Sequence, residues 1–502
     1  RVNIDVVLSR SLVKRKATLY LELRQPLSGS QVKMTAVSPT TRPKLTLSNP
    51  ELERKVMECL SPLVLTEDQQ QKVREVFLDE MRLGLAANPE RTSSLLMENT
   101  FIPELPDGTE NGEYLALDLG GTHFRVIYVR MKNGRFSEEV VDYFHVPSEK
   151  RLGPGQDLFE FLADCIAEFV QKRNLGGRNF QLGFTFSFPM TQKSLDVGIL
   201  VSWTKSFNCP GVVGEDAVKM LNDAIHKRKD LDITVKAILN DTTGTLVMGA
   251  YMDKRCALAM ILGTGCNGCY IEKVERIEKW LGKHLESEMI VDIEWGAFGD
   301  NGVLDFIKTD WDRAVDDQSL LVHSYTFEKY FAGKYLGDLY REILLTLTKK
   351  GLMCGGKIGN LHTHGAITTT SVSRIESDTF KGLLEETKMV LNDVKLNHDD
   401  DDLHIAQYVA GIISYRGITL VSLITGILLE RMQRNHCTVA IDGSLFKHHP
   451  RFRPLMEKLI SEFAPGRSFD LRLAHDGSGK GAALAAAIAE RLEQKRSLTN
   501  SN

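Results

Sequence analysis

Apolar residues recur along this chain at two spacings, and the alternation between them lays out its elements. From Ser48 the spacing is helical: Pro50 sits at a first-turn position after the cap residues Ser48 and Asn49, and Val56, Leu60 and Leu63 form an apolar stripe. Thr66-Glu67-Asp68-Gln69 reads as a capping box, which predicts a second helix from Thr66 to Leu85. At Tyr114 the period changes to two. YLALDLGG followed by THFRVIYVRM predicts a hairpin around Gly120 and Gly121. A helix over Leu158 to Val170 and an aromatic strand, QLGFTFSFP, stopped by Pro189, come next. The stretch KAILNDTTGTL, Lys236 to Leu246, predicts a buried strand through Ala237, Ile238 and Leu239, with Asn240, Asp241 and Thr242 where it emerges and a tight turn at Gly244. CALAMILGTG and CNGCYIEKV then predict a second hairpin. The most hydrophobic segment, Tyr408 to Leu429, is interrupted by Arg416, Gly411, Gly417 and Gly426, leaving an uncharged run too short to span a bilayer, so a buried helix is expected. The acidic run Asp399 to Asp402 reads as its solvated start.

Set side by side, LALDLGGTHFRVIYV and LAMILGTGCNGCYIE share an apolar strand, a glycine-flanked turn and a returning strand, a weak internal repeat. Length allows two or three domains in 502 residues. The net charge of −4 lacks the Lys/Arg excess of a nucleic-acid groove. Eight scattered cysteines fit free thiols in a reducing cytosol, and the single close pair, Cys266 and Cys269, has no second pair or His ligand beside it. Residues 1 to 47 are rich in Arg, Lys, Ser and Thr and poor in acids; this resembles a transit peptide in composition, and a disordered extension is expected.

The candidate chemistry lies at strand ends. In α/β proteins ligands bind at the carboxyl ends of strands, which makes Asp241 a candidate general base, although Asn and Asp there also serve as ordinary turn formers. Gly263 to Gly268 spells G-x-G-x-x-G, yet Cys269 to Val274 has strand alternation where that fingerprint requires a helix, so a dinucleotide fold is rejected. Both glycine turns, Gly120 to Thr122 and Gly263 to Gly265, can still present N–H groups to phosphate. Asp476 to Gly481 is no Walker A loop but leads into an alanine-rich helix, Ala482 to Leu492, whose start suits an anion. Ile441-Asp442-Gly443-Ser444 is a further strand ending in acid, glycine and hydroxyl. Four recurrences of that pattern favour a nucleotide cleft. Ser187, Thr204, Lys205 and Glu294 add the donors and acceptors a polyol needs.

The segments LALDLGGTHFRV, LGFTFSFP, WTKSF, LNDTTGTL, ILGTGCNGCYIE, EWGAFGDNG, FEKYFAGKYLGDL, IDGSLFKHHP and HDGSGKGAAL succeed one another from about residue 50 to 490, and in that order the chain resembles the eukaryotic hexokinase and glucokinase family. The resemblance implies an α/β fold of the two-domain actin-like ATPase type (ribonuclease H-like), with a cleft between a large domain, 48–112 and 241–479, and a small domain, 113–240 and 480–494, and a tail at 495–502. It implies that Ser187, Thr204, Lys205, Asn240, Asp241, Asn267, Glu294 and Glu328 contact the sugar. Asp118, Gly120, Gly121, Thr122, Thr264, Gly265, Gly443 and Ser444 would hold ATP and its phosphates. Asp241 as base and Lys205 near the transferred phosphoryl group would be catalytic, with ATP as co-substrate, Mg²⁺ carried by ATP and no resident metal. The expected activity is phosphorylation of the 6-hydroxyl of glucose and related hexoses, in a cytoplasmic monomer without nucleic-acid partner or transmembrane segment. The chain departs from the family at His123 (usually Asn), Ser206 (usually Gly), Tyr325 (in place of a sugar-binding Gln after Pro-Gly) and His475 (usually an acid). His123, Ser206 and Tyr325 together keep open a non-catalytic sugar-binding sensor or scaffold on the same fold, and His475 bears on phosphate or product binding.

Overall fold

The computed structural model describes residues 37–121, 123–282, 287–474 and 476–500. The expectations for residues 1–36, Thr122, the His123 side chain, His475 and the last two residues of the tail fall outside them.

Two mixed sheets form the frame. One has five strands in the order Arg135–His145, His123–Lys132, Gly112–Leu119, Asn179–Phe186 and Asp232–Leu239. The first three pair antiparallel and the last two add in parallel. The other sheet repeats that plan with Glu288–Asp292, Cys266–Lys273, Cys256–Leu262, His436–Asp442 and Ser468–Leu473, and carries Glu98–Asn99 on its outer edge. The weak sequence repeat is therefore a repeat of topology: its two copies are the central hairpins of the two sheets. The fold is the two-domain, actin-like α/β architecture expected from the resemblance.

Each sheet ends in a helix that crosses to the other. Asp232–Leu239 is followed by the helix Asp241–Met252, which lies on the second sheet: a Cβ on its Gly249 would meet the Ala440 Cβ at 2.6 Å, and the Cys269 thiol reaches the Thr242 carbonyl at 3.2 Å. Ser468–Leu473 leads to the helix Gly477–Asn500, which lies on the first sheet, where Thr185 Oγ1 donates to the Ser478 carbonyl at 2.9 Å and the Tyr114 hydroxyl to Glu490 at 2.7 Å. The two helices touch backbone to backbone. A Cβ on Gly481 would lie 2.0 Å from the Gly244 carbonyl oxygen, and one on Gly244 would lie 2.8 Å from that of Ser478.

Here the sequence expectation is corrected: Gly244 makes no turn. Asn240 caps the helix by accepting from the Thr242 N–H at 2.8 Å, so the chain turns before Asp241, and Gly244 serves close helix contact instead. The terminal helix likewise starts at Gly477, taking in the glycine-rich segment, and extends through the expected tail to Asn500. Residues 37–47, expected to be disordered, are anchored to the body of the fold at several points while much of their surface stays exposed. The Pro39 and Thr41 carbonyls accept from the buried Arg451, and Leu45 and Leu47 join the core.

The Thr66 capping box is present as predicted. Asp399 caps the helix Asp400–Met432, which has the length and apolarity to cross a membrane; packing rather than length decides its place, since nearly all its side chains are enclosed by other elements. Arg416 on it is buried in a two-pronged pair with Asp312, both contacts 2.9 Å, so the charge is neutralised where it sits.

The helix crossing leaves no room for a methyl group. Gly481→Ala is expected to cost about 3 kcal/mol, because the clashing atom is a backbone oxygen that cannot rotate away. Gly176→Ala, at a glycine with nothing within 4 Å of the added carbon, should lie within about 0.5 kcal/mol of the parent. Urea unfolding of both variants checks this, and equal stabilities would contradict the packing argument.

Candidate active site

The strand ends of the two sheets face a cleft of about 670 Å³. Of the residues named from sequence it collects Gly120, Gly121, Ser187, Thr204, Lys205, Asn240, Asp241, Thr264, Gly265, Asn267, Glu294, Glu328, Gly443 and Ser444. Asp118 is not among its lining residues. Its carboxylate pairs with Arg125 and accepts from Ser478 Oγ at 2.8 Å, so it ties the first glycine turn to the terminal helix from behind.

On one wall, alternation along the strand buries Phe186 and Phe188 and turns Ser187 between them. Both rings pack edge-on against Trp203, which stacks on Phe207, and this aromatic cluster holds the loop Thr204-Lys205-Ser206 over the cleft. Ser187 Oγ is buried without a hydrogen-bond partner, an unmet demand that a ligand hydroxyl can satisfy. Lys205 and Ser206 both have left-handed backbone, φ 54° and 70°. At Ser206 the glycine usual in the family would carry no such penalty, which is about 1–2 kcal/mol for a residue with a Cβ.

Asp241 opens its helix at the cleft floor, where unpaired N–H groups favour an anion. Lys205 Nζ stands 3.9 Å from Asp241 Oδ2. Next to it an amide–carboxylate chain runs across the floor: Asn240 Nδ2 donates to Glu294 Oε1 at 3.1 Å, and Asn267 Nδ2 to Asp292 Oδ1 at 2.8 Å and Asn240 Oδ1 at 3.5 Å. Glu328 Oε2 accepts from the Cys266 N–H at 2.9 Å, under the Gly263-Thr264-Gly265 turn. That turn is closed by a Gly263 N–H bond to the Gly265 carbonyl at 3.0 Å. Gly443 lies against it at φ 117°, so close that a Cβ would meet the Leu262 carbonyl oxygen at 2.3 Å; only glycine fits.

Burial, and then the charge of Asp241, push the Glu294 carboxyl up to about 7. Burial raises Glu328 too, with Cys266 N–H, Lys205 and Lys334 opposing it. Tyr325 lines the same wall with left-handed backbone, φ 58°, and its ring comes within 3.2 Å of where a Gly296 Cβ would be. Burial and the nearby Glu294 and Glu328 hold its phenol protonated.

Sequence reasoning missed Lys334 and Asp292. Lys334 lines the cleft with its N–H on the Thr264 carbonyl at 2.9 Å, a cation brought to the second turn by tertiary contact alone. Asp292 sits two positions before Glu294 on a strand that reads as core, and only strand register discloses that it backs the site.

Models of the hexokinase family match residues 55–251 and 257–488. Human Hexokinase-1 is 39% identical over 456 residues, covering 89% of this chain and 49% of that protein. Human Hexokinase-2 is 39% identical over 446 residues, 87% and 48%. The chain thus spans about half the length of these relatives. A solved hexokinase from Schistosoma mansoni, complexed with glucose, superposes with a TM-score of 0.81 at 36% identity, covering 88% of this chain and 100% of that one.

The raised Glu294 carboxyl gives a pH test. Protonation is favoured in the folded state, so its stabilising contribution is complete below the ordinary glutamate value of 4.5 and is lost as pH rises through about 7. Glu294→Gln lacks this titration. Wild-type stability should therefore fall relative to Glu294→Gln across that window and run parallel outside it, as read from unfolding midpoints; a constant difference would contradict the assignment.

Proposed function

This chain belongs to the hexokinase family, and we propose that its cleft transfers the γ-phosphoryl group of ATP to the 6-hydroxyl of glucose and related hexoses, giving hexose 6-phosphate and ADP. The observation that carries this reading is the meeting, in one cleft, of Asp241, Lys205 and the unpartnered Ser187 hydroxyl with the two glycine turns. A primary alcohol is a poor nucleophile near neutral pH. Asp241, at the head of its helix, takes the hydroxyl proton as the new O–P bond forms, a contribution of about 10² to 10⁴ in rate. Asn240, Asn267, Glu294, Glu328, Thr204 and Ser187 orient the sugar so that one hydroxyl faces Asp241. Amide, carboxylate and hydroxyl groups match a polyol whose every oxygen both donates and accepts.

Lys205 lies where charge accumulates on the moving phosphoryl group, and Gly120, Gly121, Thr264, Gly265, Gly443 and Ser444 present backbone and hydroxyl groups to the phosphates. Mg²⁺ enters with ATP as part of the co-substrate and neutralises phosphate charge. Water competes with the sugar, so the two halves close only once sugar is bound. A glucose sensor without turnover is the second reading, favoured by Tyr325 in the sugar wall; retention of Asp241 beside Lys205 speaks for catalysis.

With glucose and Mg-ATP, Asp241→Asn should lose about 10² to 10⁴ in kcat while its thermal midpoint stays close to that of the parent. Near-parental turnover would remove Asp241 from the mechanism. Tyr325→Gln supplies an amide that donates and accepts, and should lower the glucose KM about fivefold, one hydrogen bond's worth. An unchanged or higher KM would show that the phenol already serves the sugar.

A further inference from the structure

Behind the sugar-facing residues lies a carboxyl group that the mechanism above does not use. Asp292 ends the strand Glu288–Asp292 and is 5% exposed. Asn267 Nδ2 donates to its Oδ1 at 2.8 Å, and its carboxyl interacts with that of Glu294, two positions further along the chain. The groups acting on it most strongly are acidic or neutral, and the lysines on that side of the sheet, Lys193 and Lys279, act on its register partner Glu98. Asp241 faces it from the crossing helix, Cys269 is its register partner on one neighbouring strand, and Glu98 on the other. The two lysines of the cleft, Lys205 and Lys334, lie on the Glu294 and Glu328 side.

Resting on the hexose-kinase reading, we propose that Asp292 is a positioning residue: its neutral carboxyl donates a hydrogen bond to Glu294 and accepts one from Asn267, keeping Glu294 an ionised acceptor aimed at the sugar. Two buried carboxyl groups in contact hold one proton between them, because two like charges at that distance in a poorly solvated site cannot both persist. The proton stays on the member with no nearby cation and no access to the cleft. Glu294 has Lys205 facing it and Asn240 donating at 3.1 Å, whereas Asp292, among the described residues, accepts from the Asn267 amide. Burial first, and then the Glu294 charge, raise the Asp292 carboxyl well above the usual range, in agreement with this assignment. Asp292 also holds Asn267, whose Oδ1 accepts from the Gly268 N–H at 2.6 Å and whose Nδ2 reaches Asn240 at 3.5 Å, so the same carboxyl bears on the orientation of Glu294 and Asn267.

The test is glucose affinity by calorimetry from about pH 5.5 to about pH 9 in wild type, Asp292→Asn and Asp292→Ala. Affinity in the wild type should improve as Glu294 ionises. Asp292→Asn retains a neutral donor, so its midpoint should stay within about 0.3 pH unit of the parent's; Asp292→Ala lacks the donor, and its midpoint should rise by about one unit. A midpoint falling by a unit or more in Asp292→Asn would mean that Asp292 is ionised in the wild type and would overturn the proposal. That arm decides the matter even if Asp292→Ala does not fold. Glucose binding whose affinity does not change with pH would overturn the proposal and leave the sugar site standing, whereas no glucose binding at any pH would overturn the sugar reading and this inference with it.

Discussion

The contact of Gly244 with Gly481 is the constraint on which the rest of the structure depends. Two helices, each continuing from one sheet and lying on the other, cross there with no side chain between them. Their separation is set by backbone, so the start of each helix is fixed relative to both sheets. Asp241 is three residues from the crossing, and Ser478, which holds Asp118, is three residues from it on the partner helix. A wider crossing would displace the carboxylate proposed to take the proton, and with it the turn tied to Asp118. Small residues at this point thus serve geometry at the cleft rather than local flexibility.

The cleft is acidic, with Asp241, Glu294 and Glu328 lining it against Lys205 and Lys334, and Asp292 buried behind them. In water such a cluster would repel; partly buried, it shifts its protons instead, as the raised Glu294, Glu328 and Asp292 carboxyl groups show. The amides of Asn240 and Asn267 link the acids through their Nδ2 groups, while their oxygens accept from the Thr242 and Gly268 N–H groups. This arrangement suits a neutral, hydroxyl-rich ligand on the floor and an anion only where the lysines and glycine turns lie. The proposed reaction, with the sugar on the acids and amides and the triphosphate on the lysines and glycine turns, satisfies these charges together.

Much of this was legible in the sequence because it depends on local chemistry. The Thr66 capping box, the two hairpins and the Asp399 helix start arise from residues adjacent in the chain. Asp241, Lys205 and Glu294 stand out in the sequence as polar and charged groups after apolar runs, and the fold brings all three to one cleft. Where the reading failed, a distant partner decided. Gly244 after Asn-Asp-Thr has the composition of a turn, and only the terminal helix explains a helical glycine there. Residues 37–47 lack the pattern of a packed segment, yet Arg451, some four hundred residues on, gathers their carbonyls. Asp118, named from sequence for the phosphate site, is held by Arg125 and Ser478 behind the first glycine turn, contacts that the local sequence does not disclose. Asp292 and Lys334 carry no local signal, since strand register and a loop crossing bring them to the site.

The central claim is that this cleft performs phosphoryl transfer to a sugar and does not merely hold one. Incubation of the wild-type protein with glucose and Mg-ATP, with separation and quantification of the products, tests it most directly. The account predicts glucose 6-phosphate and ADP appearing one for one, at a rate far above the hydrolysis of ATP without sugar. Saturable glucose binding with no glucose 6-phosphate formed, or ADP release that is indifferent to sugar, would contradict it.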